Sequence, residues 1–182
     1  MSEFVHNRND DIIKKQEWLF HIIPIKRLRS TNKVDFDVME LYEEFNWIEI
    51  VTHKPWARSP WSVWEKDELW YMHRWQEDNL ITLSWNRYVE LYDMENKKIE
   101  HFEISHDCIR HNWAMIYEGP AVLWWPANVF HRNHSPKGSV SMNFSVRTEK
   151  FDLDTEFNIY SLDTLTWEFE VARIWKLDQF NK

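Results

Sequence analysis

The stretch Gly119-Pro120-Ala121-Val122-Leu123-Trp124-Trp125-Pro126-Ala127-Asn128-Val129-Phe130-His131-Arg132-Asn133-His134 decides how this chain is read. A short apolar run ends at Pro126. Pro-x-Asn then signals a turn, because proline fixes its own φ and asparagine tolerates a positive one. His131 follows Asn128 by three residues. The spacing predicts a strand, a tight turn and a second strand that opens by presenting an imidazole. His134 comes three residues later, which in a strand is the opposite face.

Working outward from this stretch, most of the chain reads as short strands. Residues 47–52, 80–83, 88–92, 98–104, 114–117, 121–125, 157–161 and 168–172 are rich in β-branched and aromatic residues. Residues 139–146 alternate cleanly, with Val140, Met142, Phe144 and Val146 on one face and Ser141, Asn143 and Ser145 on the other. Many strands at regular spacing predict an all-β antiparallel sandwich or barrel. Residues 9–20 read as a short helix with an acidic first turn, and residues 34–45 as a helix or a strand. No repeat or linker-like tract divides the chain. We read one domain over residues 1–182: an α/β extension over 1–45, a barrel core over 46–150, and a hairpin and tail over 151–182.

The formal net charge of −8, with 29% charged residues, argues against non-specific binding to nucleic acid or to an anionic membrane. Residues 19–25 form the longest apolar run, interrupted by His21 and Pro24 and far too short to span a bilayer. Cys108 is the only cysteine, so no internal disulfide forms and a cytoplasmic location is expected. The sequence holds no nucleophile elbow, no Cys-x-x-Cys and no phosphate-cradling glycine loop.

Glycine and tryptophan are out of balance. The chain has 2 glycines and 13 tryptophans, where a usual glycine share of about 7% would give roughly 13. Trp85 and Trp167 sit in hairpin connections, and Trp113 and Trp175 in similar settings, where glycine is the ordinary occupant. One of Trp124 and Trp125 also reads as a glycine position. These positions fit a UGA codon that the native organism decodes as glycine. A genuinely tryptophan-rich protein is the alternative reading.

Around the opening stretch the residues resemble the cupin superfamily of jelly-roll barrels. The second cupin motif runs Gly, five residues, Pro-x-Gly, two residues, His, three residues, Asn. Here Gly119 is followed by six residues and then Pro126-x-Asn128-x-x-His131, with Ser135 at the last position. The first motif runs His-x-His, three or four residues, Glu, six residues, Gly. Tyr71-x-His73-x4-Asp78-x6-Trp85 keeps that spacing with three changes of residue type. The resemblance covers roughly residues 64–146.

The resemblance implies a cupin-like double-stranded β-helix and a small-molecule enzyme. It also implies a divalent metal (Fe, Mn, Ni or Zn) on His73, Asp78 and His131, with Tyr71 as a substrate-binding residue. Dioxygenases, sugar isomerases and sugar epimerases all fall within it. In a metal-free epimerase His73 or His131 would act as base and Tyr71 as acid. A non-catalytic barrel that binds a sugar without metal is the alternative. A homodimer is a further option the resemblance admits. His53, His101, His106 and His111 read as loop or surface residues.

Overall fold

The structure, a computed structural model, describes residues 12–39, 45–60 and 68–175. Its strands are β1 (Lys14–Gln16), β2 (Phe20–Pro24), β3 (Lys26–Ser30), β4 (Asp35–Val38), β5 (Trp47–His53), β6 (Ala57–Ser59), β7 (Trp70–Tyr71), β8 (Gln76–Ser84), β9 (Arg87–Asp93), β10 (Lys98–Ile104), β11 (Cys108–His111), β12 (Ala114–Glu118), β13 (Ala121–Trp125), β14 (Phe130–Ser135), β15 (Ser139–Arg147), β16 (Ile159–Leu162) and β17 (Phe169–Arg173). A single short helix among the described residues, α1 (Leu153–Glu156), precedes β16. No described helix is long and apolar enough to cross a membrane.

Two antiparallel sheets form a jelly-roll sandwich, the all-β class expected from the strand pattern. One has six strands in the order β1-β2-β13-β8-β15-β5. The other has nine, in the order β12-β11-β10-β9-β14-β7-β16-β17, with β6 added alongside β14. The strands β10 and β13 occupy the residues predicted for them. The C-terminal hairpin forms as β16 and β17. Residues 9–20 were expected to be helical, but their described part is strand and turn. There β1 pairs with β2, and β2 pairs with β13. That pairing buries Phe20 and Ile22 in the core, and such tertiary burial outweighs a local helical preference. Within residues 34–45, Asp35–Val38 is strand β4, while residues 40–44 lie outside the described part.

The space between the sheets is divided in two. Leu80, Val89, Leu91, Phe102, Ile104, Ile109 and Leu123 pack its apolar half. The other half is polar, because β15 turns Ser141, Asn143 and Ser145 inward and leaves Val140, Met142 and Phe144 half-exposed. Opposite them across β5 and β8, Ile48 and Ile50 are exposed and Ile81 is half-exposed on the same outer face. An inward polar face beside an apolar wall is the setting in which a buried chemical group is held rather than merely packed.

The turns carry unusual backbone. Nine described residues other than glycine have positive φ, and five of them are tryptophans: Trp18, Trp56, Trp85, Trp113 and Trp167, with φ between 61° and 72°. Asn128, in the Pro126-x-Asn turn, is another, at 67°. Trp175 is not among them; its Nε1 donates to the Leu153 carbonyl at 2.5 Å and its ring packs on Phe157. Nor are Trp124 and Trp125: one stacks on His21 and the other is buried in the core.

Candidate functional site

The Pro126-Asn128 turn joins β13 to β14, and this places His131 inside the barrel. On β14, Phe130 faces outward onto Tyr160 and Phe169, while His131 faces in. His134 lands on the other face, as its spacing predicts, stacked on Tyr88. His131 pairs in register with Tyr71 of β7, and β7 runs directly into His73. The Asn128 backbone N–H donates to the His73 carbonyl at 2.7 Å, tying the turn to that segment. From the other sheet, β8 contributes Asp78, which pairs with Trp125.

His73, Asp78 and His131 are all buried, and one donor atom from each lies within 4.8 Å of the others. The His73 and His131 ring centroids are 4.8 Å apart. Each imidazole is oriented by a backbone carbonyl. His73 Nδ1 bonds the Glu156 carbonyl at 2.8 Å and His131 Nδ1 the Val129 carbonyl at 3.1 Å. A carbonyl only accepts, so Nδ1 carries the hydrogen in both rings and Nε2 keeps its lone pair. Burial lowers both histidines to about 4, and the proximity of His73 further disfavours protonation of His131. Both rings are therefore neutral at pH 7.

Asp78 completes the group. Its Oδ1 accepts from Gln76 Nε2 at 2.7 Å and from Asn143 Nδ2 at 2.5 Å. Its Oδ2 is buried without a hydrogen-bond partner and lies 3.9 Å from His73 Nε2, too far for a hydrogen bond. Burial pushes this carboxyl upward against the pull of His131 and the two amide donors. An orphaned buried carboxylate oxygen is costly unless something takes it up.

These groups line a cavity of about 160 Å³ shared with Glu49, His53, Tyr71, Arg87, Trp125, Asn133 and Phe157. That is below the roughly 300–1,000 Å³ of sites for drug-sized molecules, so a compact group fits inside rather than a whole nucleotide. A cavity of about 200 Å³ lies on the outer side of β14, among Arg58, Glu90 and Arg132. There Arg132 pairs with Glu90, so that charge is already answered.

Several contributors carry no motif. Glu156, in α1, has its carboxylate Oε2 bonded by the backbone N–H groups of Arg74 at 2.7 Å and Trp75 at 3.0 Å, while its carbonyl holds His73. Asn143 and Arg87 come from β15 and β9. Alternation in 139–146 separates Asn143 from the apolar face, but only the packed barrel shows which face turns in. His53 and His111, expected at the surface, are buried: His53 bonds Ser135 Oγ at 3.0 Å, and His111 bonds Glu100 Oε2 at 2.6 Å.

The three converging side chains fit a divalent cation. Two neutral imidazole nitrogens and a free carboxylate oxygen form a two-histidine, one-carboxylate set, and carbonyl-bound Nδ1 groups fix ring orientation as ligating histidines require.

Solved structures share the fold. The WlaRB TDP-quinovose 3,4-ketoisomerase from Campylobacter jejuni aligns over 74% of this chain and 88% of its own, at 14% identity and a TM-score of 0.52. A dTDP sugar isomerase from Desulfovibrio desulfuricans covers 72% of this chain and 79% of its own, at 10% identity and a TM-score of 0.50. A mutant of the 3,4-ketoisomerase QdtA from Thermoanaerobacterium thermosaccharolyticum, bound to TDP-4-keto-6-deoxyglucose, covers 76% and 86%, at 13% identity and a TM-score of 0.50. No protein-family model matches the sequence, and no curated protein matches it.

Proposed function

We propose that the chain is a sugar isomerase of the cupin type that moves a carbonyl between adjacent carbons by proton transfer in the His73–Asp78–His131 cavity. The observation that carries this reading is the convergence of two imidazole lone pairs and one unpartnered carboxylate oxygen in one cavity between the sheets. The shared fold with sugar ketoisomerases supports the sugar class.

Carbonyl migration needs a base for the C–H proton beside the carbonyl and an acid for the carbonyl oxygen. It then needs return of a proton to the former carbonyl carbon and loss of one from the neighbouring hydroxyl, so no atom is gained or lost. Neutral His73 and His131 have their Nε2 lone pairs available, and either can accept the C–H proton. Their rings are close enough to serve neighbouring carbons of one substrate. Tyr71, at 6.1 Å from His131 between ring centroids, lines the cavity as substrate wall and hydroxyl donor. Asp78, kept partly desolvated, takes hydroxyl hydrogens on Oδ2. In the alternative where His73, Asp78 and His131 hold a divalent metal, the ion would supply Lewis-acid polarisation of a substrate oxygen, and their lone pairs would then no longer serve as bases.

The test is proton exchange in D₂O with a nucleotide-linked 4-keto-6-deoxy sugar, followed by NMR, beside metal analysis of protein purified without chelator. Deuterium at the carbon next to the carbonyl, appearance of the shifted ketone, and loss of both in His131→Ala and His73→Ala are expected. Absence of exchange from the folded wild-type protein across a panel of keto sugars overturns the reading. Near-stoichiometric metal that disappears in His131→Ala would establish the metal-holding role.

A further inference from the structure

One charged group in the cavity has no task in these proton transfers. Arg87 opens β9, directly after the Trp85 turn, and is only 2% exposed. Its Nη1 donates to Ser141 Oγ, but Nε and Nη2 are buried without a partner. Those two nitrogens lie on the same edge of the guanidinium, the edge that presents two parallel N–H groups to a carboxylate or phosphate. Among the described residues no acidic side chain answers them. Glu49, in the same cavity wall, is held by Arg147 at 2.7 Å, Asn143 at 3.1 Å and Ser145 at 3.2 Å. Asp78 is bonded by Gln76 and Asn143 instead. Burial lowers Arg87 only to about 10, so it stays charged at neutral pH.

We infer that the free edge of Arg87 binds an oxyanion carried by the substrate, so that the cavity accepts an acidic sugar: one bearing a carboxylate or a phosphate on its ring. The inference rests on the cavity being a substrate site, as proposed above. An uncompensated buried cation is unfavourable in the empty pocket, and an anionic ligand converts that cost into discrimination against neutral sugars. Asn133, whose Oδ1 is also buried without a partner, stands in the same wall to receive a ring hydroxyl.

Calorimetric binding of glucuronate, glucose 6-phosphate and glucose tests this without requiring turnover. One of the two acids is expected to bind at least tenfold more tightly than glucose, and which acid does so distinguishes carboxylate from phosphate. Arg87→Gln should erase the preference, and Arg87→Lys, which keeps the charge and loses the fork, should restore only part of it. On wild-type protein, ¹⁵N NMR should show one arginine Nε signal shifting on addition of acetate or inorganic phosphate. Equal binding of glucose and both acids, no binding of either acid, or an unmoved Nε signal overturns the inference. A protein that isomerises neutral keto sugars without any acid preference loses this subsite and keeps its isomerase reading.

The backbone independently points to glycine at positions 18, 56, 85, 113 and 167 in the protein as its own organism makes it. Positive φ is uncommon outside glycine and enriched in Asn, Asp and His, not in a bulky aromatic. Here tryptophan takes five of nine such positions, and all five rings are exposed. Asn112 and Trp113 have φ of 48° and 70° in the two-residue link between β11 and β12, the geometry that selects Asn-Gly. The coding sequence tests it. UGA is expected at these five codons, with UGG at the buried Trp70 and Trp125, and peptide masses from the source organism should show glycine. UGG at the five positions, or tryptophan in those peptides, overturns it.

Discussion

Replacing Trp85 with glycine should stabilise the chain by about 1 kcal/mol. Trp85 links β8 to β9 at φ 61°, and a side chain in this left-handed region costs roughly 1–2 kcal/mol that glycine avoids. Glycine returns part of that gain through the greater freedom of its unfolded chain, roughly 0.5–1 kcal/mol. The indole is 61% exposed, so little burial is lost with it. At Trp113 and Trp167 the gain is smaller, because one ring stacks on His101 and the other lies under Lys97 at 4.3 Å. The five replacements together should therefore give about 3–5 kcal/mol, if the sites add as separated positions do. Urea denaturation with an unchanged m-value is the assay, and each 1 kcal/mol should raise the melting temperature by about 2–4 °C in a chain of this size. Trp85→Ala is the control, since alanine keeps the Cβ that makes positive φ costly. If alanine matches glycine, or if glycine destabilises, the backbone argument is refuted. At Trp125, buried with ordinary backbone, replacement by glycine should instead cost more than about 3 kcal/mol.

Three further outcomes follow from the site and the sheets. Asp78→Asn keeps the Oδ1 acceptor and removes the orphaned charge, so the fold should gain at least about 1 kcal/mol while exchange activity falls by two orders of magnitude or more; a less stable, fully active variant would contradict both halves. Burial holds His53 at about 4, below its unfolded value of 6.5, so the unfolded chain binds the extra proton and this histidine's contribution is complete above pH 6.5 and lost as pH falls toward 4. Stability measured against pH should accordingly fall less steeply in His53→Asn than in wild type over that window. If the outer face carrying Ile48, Ile50 and Met142 is covered by a second copy, light scattering should give a dimer and Ile50→Glu a monomer; a wild-type monomer removes the dimer expectation.

Strand β10 was legible because its partner β9 is near in sequence, and β13 because a short apolar run is bounded by Pro120 and Pro126. Residues 14–24 were not, because His21 to Pro24 become strand residues through pairing with Leu123 and its neighbours about a hundred positions away. His73, Asp78 and His131 could be picked out because turn chemistry and motif spacing travel with them. Glu156 and Arg87 could not. Glu156 acts through one carbonyl and one carboxylate on a segment 80 residues earlier, and nothing in Asp154-Thr155-Glu156 marks it. Arg87 reads as an ordinary polar residue at a hairpin, and only burial without a counter-ion makes it informative. The split in β15 was visible as a pattern, but the usual rule that apolar residues turn inward gives the wrong face when the interior holds a polar site.

Glu156 also makes the barrel's competence depend on a part of the chain outside the barrel strands that hold the three donors. A protein ending before α1 would retain His73, Asp78 and His131, yet its His73 ring would have no carbonyl to select its tautomer and the 73–75 segment no carboxylate to dock on. Such a chain would also lack β16 and β17, so the strand that pairs with β7 and the support of His73 would be lost together. Glu156 follows all three donors in the chain, so the orientation of His73 is set by a segment that the ribosome adds after it.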